Sequence, residues 1–128
     1  MHEIEFIKNF VIKTKRDRFL SFVMNEKGRK KFLMELEHPG FFIDNPNVRT
    51  INPYQTAIEF ENRLIQLSGV NSCYVISSNP TIDGKELSIS EALLKVVEGN
   101  FGTILSIVPG KIAFFEDEDG ERSIFFRK

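Results

Sequence analysis

The C-terminal stretch TILSIVPGKIAFFEDEDGERSIFFRK, residues 103–128, decides the fold. It holds three runs rich in β-branched and aromatic residues: Thr103–Val108, Lys111–Glu116 and Glu121–Arg127. Pro109-Gly110 separates the first two, and the acidic loop Asp117–Gly120 separates the last two. Links this short join antiparallel neighbours, because a parallel crossover needs a dozen or more residues. The stretch therefore predicts an antiparallel meander.

Two adjacent pairs, Phe114-Phe115 and Phe125-Phe126, fall in strands that this meander pairs. Neighbouring residues on a strand point to opposite faces of a sheet. Both faces of the hairpin thus carry phenylalanine and need apolar cover. A chain of 128 residues is one domain by size and has few helices to spare. The expectation is an aromatic patch at Phe114, Phe115, Phe125 and Phe126, left open for another protein or for a second copy in a homodimer.

Upstream, Ser72–Ser78 reads as a strand through Tyr74, Val75 and Ile76, closed by Asn79-Pro80. Asp83-Gly84 marks a turn. Ser88-Ile89-Ser90-Glu91 is a capping box, followed by Ile89, Ala92, Leu93, Val96 and Val97 on one helical face, with Gly99 as the stop. A helix between strands 72–78 and 103–108 predicts a right-handed crossover between parallel neighbours. Asn52-Pro53-Tyr54-Gln55 carries N-cap, first-turn proline and capping-box signals for a helix over 53–68, with Gly69 as its left-handed stop. Pro39 to Ile51 reads as an irregular connector with a turn at Asn45-Pro46-Asn47, and Phe41, Phe42 and Ile43 tuck it against the core.

Residues 3–12 and 15–24 show helical apolar stripes. Asn25 caps a third helix carrying Phe32, Leu33 and Leu36, which His38-Pro39-Gly40 ends. The sum is an α+β fold. A helical N-terminal half packs on a mixed sheet of about four strands ending in an antiparallel meander, in the order α-α-α-α-β-α-β-β-β, as one domain over residues 1–128.

The chain carries 17 basic and 18 acidic residues, a net charge of −1, so no global field draws it to nucleic acid or membrane. Apolar residues at 41% and charged residues at 27% suit a globular chain. No run of about 18 apolar residues is present. The single cysteine, Cys73, cannot form an internal disulfide, and the acidic start Met1-His2-Glu3-Ile4-Glu5 is unlike a secretory or transit signal. A cytoplasmic location is expected.

Charge is unevenly spread. Lys13, Lys15, Arg16, Arg18, Lys27, Arg29, Lys30 and Lys31 face only Asp17 and Glu26, leaving +6 over residues 13–31. Such a cluster suits phosphates or an acidic partner, although no recognition-helix, zinc-finger or single-strand-binding pattern accompanies it. The run Glu116-Asp117-Glu118-Asp119-Gly120-Glu121 is too short for a calcium loop and reads as a charged hairpin tip.

Glu61 falls at the centre of the apolar arc of the 53–68 helix, made by Tyr54, Ala57, Ile58, Leu64 and Ile65. A carboxylate there is either paired structurally or placed for acid–base work beside Tyr54 or Arg63. Cys73 has only His2 and His38 as conceivable activating imidazoles and reads as a buried thiol. Ser77 and Ser78 end a strand without a nucleophile-elbow motif. Gly110-Lys111 lacks the serine or threonine and the helix of a phosphate loop. Gly99-Asn100-Phe101-Gly102 reads as turn chemistry. No metal-ligand spacing and no cofactor motif is present, so neither is implied.

These residues favour a small protein-binding or regulatory module without catalysis. Nucleic-acid association through helices 13–31 is the alternative, and an acid–base enzyme around Glu61 is the third expectation.

Overall fold

The computed structural model describes residues 2–36, 42–44, 47–51, 56–97, 99, 101–117 and 119–127. Three helices open the chain: α1 (His2–Phe10), α2 (Lys13–Phe22) and α3 (Glu26–Glu35). Then come β1 (Val48–Ile51), α4 (Ala57–Ser68), β2 (Ser72–Ser77), β3 (Glu86–Ser88), α5 (Ile89–Val97), β4 (Thr103–Val108), β5 (Ile112–Glu116) and β6 (Arg122–Arg127). The strands form one six-stranded sheet in the order β1-β6-β5-β4-β2-β3, and every strand pairing is antiparallel. The α+β class and the terminal meander β4-β5-β6 are as the sequence predicts.

The sheet is wider than expected and the crossover differs. Part of the segment read as a connector is β1, paired with β6 from Val48 opposite Arg127 to Ile51 opposite Ile124. Strands β2 and β4 are antiparallel, not parallel. The reason is β3. The chain leaves β2, turns at Gly84 (φ 75°) and runs back beside it, Cys73 opposite Leu87. Helix α5 therefore starts at the beginning of β2, where the Ile89 N–H donates to the Asn71 carbonyl (2.8 Å). One extra reversal changes the direction in which β4 enters the sheet.

Alternation along the strands builds two cores. Val75, Leu105, Phe114 and Ile124 are successive cross-strand neighbours, and they pack under Phe60 and Leu64 of α4 and Ile89, Ala92, Leu93 and Val96 of α5. On the other face, Ile76, Ile104, Ala113, Phe115 and Phe125 meet Phe6, Ile7 and Phe10 of α1, Phe19 of α2 and Phe32 of α3. Phe42 and Ile43 join this second core, as the connector reading expected. Each fully buried phenylalanine contributes roughly 1.5–3 kcal/mol. Phe114, Phe115 and Phe125 are buried, so three of the four positions expected to form an open aromatic patch are covered within the chain, while Phe126 is half-buried at a surface pocket.

Local signals explain most helix ends. The Asn25 side chain accepts from the Gly28 N–H (2.7 Å) and starts α3. Ser88 accepts from the Glu91 N–H (3.1 Å) at the start of α5. Gly69, at φ 73°, ends α4. The start of α4 is corrected: Thr56 is its N-cap, in a reciprocal capping box with Glu59, so the helix begins at Ala57. Asn52, Pro53, Tyr54 and Gln55, which carried the earlier signal, lie outside the described residues, as do His38-Pro39-Gly40, Phe41 and Asn45-Pro46.

Helices α2 and α3 form a tight hairpin, with Gly28 set against the end of α2. A β-carbon there would lie 2.4 Å from the Phe22 carbonyl oxygen. Gly28→Ala should therefore force the two helices apart and lower stability by about 1–3 kcal/mol, read as a shift in the urea midpoint at unchanged slope.

Candidate functional site

The densest polar cluster on the sheet's α1–α3 side centres on Arg29, half-buried on α3. Its Nη2 donates to Asp83 Oδ1 (2.9 Å) and to Glu3 Oε2 (3.0 Å), and its Nη1 donates to Asp83 Oδ2. Glu3 Oε2 also accepts from the Tyr74 hydroxyl (2.9 Å). The His2 ring stacks on Tyr74 at 4.8 Å, and its Nδ1 is 2.7 Å from Ser106 Oγ. Asp83 Oδ1 accepts in addition from the Ser77 backbone N–H (3.0 Å). One guanidinium thus ties α1, α3, β2 and the turn before β3 together.

The charges respond to this geometry. The Asp83 hydrogen bond, acting against burial, holds Arg29 far above its ordinary range and permanently protonated. Burial, then the bond to Glu3, raises Tyr74. Burial outweighs nearby Glu3 and lowers His2.

This network divides the basic cluster. Arg29 is spent inside the fold. Arg16 donates from Nε to the Val11 carbonyl (2.8 Å) and lies 3.3 Å from Asp44. Arg18 lies 3.7 Å from Glu35 and over the Phe22 ring. Among the described residues, Lys13, Lys15, Lys27, Lys30 and Lys31 make no ion pair. Lys27, Lys30, Lys31 and Met34 share one exposed face of α3 at helical spacing, and Met24 follows in the turn before it. Met34 is 70% exposed and Met24 74%. Beside this face a cleft of about 340 Å³ separates α3 from residues 77–83, with Glu26, Lys30, Leu33, Ser78 and Pro80 on its walls and the Arg29–Asp83 pair beneath.

A second polar row crosses the opposite face. Ser77, Thr103, Glu116 and Arg122 are successive cross-strand neighbours on β2, β4, β5 and β6. Ser77 Oγ is 2.7 Å from Thr103 Oγ1, and Arg122 Nε donates to the buried Glu116. Burial raises the Glu116 carboxyl, against the pull of Arg122. The sequence reading took Glu116 as part of the exposed acidic tip. Its alternation with Phe114, two residues earlier on the same face, is the signal that places it inside.

Glu61 lies at the flank of the buried stripe of α4 rather than its centre. Phe60 and Leu64 are the buried positions, and Ile58 is 70% exposed. Glu61 is half-buried at a shallow surface pocket with Ile65, Ser72 and Ser90, and no described residue forms an ion pair with it. Arg63 donates to Gln66, and Tyr54 is outside the described residues. Cys73 is buried, which pushes its thiol up to about 12. Lys111 follows the Pro109-Gly110 turn and starts no helix. Among the described residues no group of three or more His, Cys, Asp or Glu side chains is placed to hold a metal ion, and no helix is long and apolar enough to cross a membrane. Against protein-family models, curated proteins and solved structures, the chain finds no match.

Arg29→Met should leave Glu3 and Asp83 facing each other without a counter-charge and cost about 2–4 kcal/mol in urea unfolding. The Glu116 carboxyl titrates above its ordinary value of 4.5. Its favourable contribution is therefore complete below that value and is lost as pH rises through the raised folded value. Wild type minus Glu116→Gln unfolding free energy should fall with pH over that window and then level off. Cys73 should react with a thiol reagent at pH 8 orders of magnitude more slowly in the native protein than in urea.

Proposed function

We propose that this chain is a protein-binding module, working in the cytoplasm, that engages an acidic partner through the outer face of α3 and the turn before it. The observation that carries the reading is the company the lysines keep. Lys27, Lys30 and Lys31 stand beside Met34 and Met24, two large flexible apolar side chains left in solvent. Lysines alone on a surface are ordinary. Methionines among them add a soft apolar contact that can repack against a partner, while the ammonium groups steer it and set its register.

The same chemistry favours protein over nucleic acid. Arg16 and Arg29, the residue type best suited to bidentate phosphate contacts, are consumed by internal pairs. Phe19 and Phe32 are buried, and the half-buried Phe22 ring of α2 lies under Arg18 and Lys31, which compete with a base for its face. The aromatic hairpin lends this reading little support, because Phe114, Phe115 and Phe125 are buried in the chain's own cores and only Phe126 stays half-exposed. Self-association through the basic face and the acidic tip of another copy is an outcome that light scattering separates.

Fluorescence anisotropy with a labelled amphipathic peptide alternating glutamate and leucine, set against a short DNA duplex, tests this. The peptide should bind at low salt and weaken as salt rises. The combined Lys27→Ala, Lys30→Ala and Lys31→Ala variant should lose about tenfold in affinity, which is about 1.4 kcal/mol. Met34→Ser should weaken peptide binding and leave any DNA binding unchanged. Tighter binding to DNA than to peptide, with no effect of Met34, overturns the reading, as does absence of peptide binding at low salt.

A further inference from the structure

We infer that the cleft between α3 and residues 77–83 is a binding site for a small dipolar ligand of the amino-acid class, carrying one ammonium and one carboxylate on a compact skeleton. At about 340 Å³ the cleft sits at the lower end of the roughly 300–1,000 Å³ range of small-molecule sites. This inference does not depend on a protein partner for α3.

The first support is an orphan. Ser78 Oγ is closed off from solvent and has no hydrogen-bond partner among the described residues. Buried hydroxyls are ordinarily paired, and an unpaired one costs stability. Its backbone is held, since the Ser78 N–H donates to the Gly102 carbonyl (3.3 Å), but its side chain is committed to nothing. Ser78 lines the cleft. As placed the hydroxyl is turned away from the opening, so the proposal requires a χ1 rotation on ligand binding, which would break no bond of the Ser78 hydroxyl.

The second support is charge balance. Four charged side chains line the cleft, two of each sign. Arg29 and Asp83 are locked onto each other, and both oxygens of Asp83 are already accepting. That leaves Glu26 and Lys30, one helical turn apart on α3, neither in an ion pair. A purely anionic ligand meets the unpaired Glu26 as a like charge, and a purely cationic one meets the unpaired Lys30. A ligand with both charges satisfies Lys30 and the Ser78 hydroxyl with its carboxylate and Glu26 with its ammonium, while Leu33 and Pro80 give an apolar wall for its remaining carbons.

Amide NMR titration of the full chain with the common amino acids, one at a time at millimolar concentration, tests this. For the amino acid giving the largest response, the deaminated acid and the decarboxylated amine serve as controls. At least one amino acid should move the Lys30, Ser77, Ser78 and Asp83 amides, and both controls should bind at least tenfold more weakly. Ser78→Ala should fold with an unchanged or higher urea midpoint, because its hydroxyl has no internal bond to lose, and should bind about tenfold more weakly. Lys27→Ala and Lys31→Ala should leave the titration unchanged, which separates this site from the α3 protein-binding surface. Silence from every amino acid, an equal response to either control, or full binding by Ser78→Ala overturns the inference.

Discussion

A sheet that is apolar on both faces has to be roofed twice, and this requirement organises the whole molecule. Val75, Leu105, Phe114 and Ile124 look one way, and Ile76, Ile104, Phe115 and Phe125 look the other. Three helices from the start of the chain roof the second set, and two helices inserted between strands roof the first. The chain manages this because its helices are short and its links tight, as where Gly28 of α3 leaves no room for a β-carbon against the Phe22 carbonyl of α2. Neither core stands without the sheet between them.

Arg29 then fixes where the three-helix roof sits. It joins the two carboxylates of Glu3 and Asp83, which come from opposite ends of the relevant chain segment, and the Tyr74 hydroxyl closes the same cluster from β2. Using an arginine in this way removes it from the surface. The basic run 13–31 is therefore less a uniform patch than a mixture, with Arg16 and Arg29 turned to internal carboxylates, Arg18 and Lys31 over the Phe22 ring, and Lys13, Lys15, Lys27 and Lys30 outside any ion pair among the described residues. The sequence shows the number of cations but not this sorting, because the partners Glu3, Asp44 and Asp83 are far away along the chain.

The same distinction between near and far explains what could be read in advance. The meander, the caps at Asn25 and Ser88 and the stop at Gly69 are local chemistry, and each was legible from a few neighbouring residues. Strand β1 was not, since four residues of Val-Arg-Thr-Ile beside Asn-Pro-Asn give little signal and acquire strand structure by pairing with β6. The three residues of β3 were missed for the same reason, and with them the direction of β4. Helix phase was misjudged on α4 because the true stripe is centred near Leu64 and Phe60, which moves Glu61 to the margin. The number of helices available to cover Phe114, Phe115 and Phe125 was underestimated, so the sequence suggested an open aromatic face where the fold has a closed one.

Strand β2 is longer than the β3 strand beside it. Past Val75, whose groups are met by Lys85 and Gly84, the next outward N–H belongs to Ser77, and the Asp83 carboxylate takes it. A side chain thus ends the ladder where a further strand would otherwise begin. Because Arg29 grips that carboxylate from the other side, a stray β-segment arriving at this margin finds its docking place already occupied by an anion that is itself held down. The residue that seats the helical roof thus also holds the carboxylate that closes the unpaired end of β2 at Ser77.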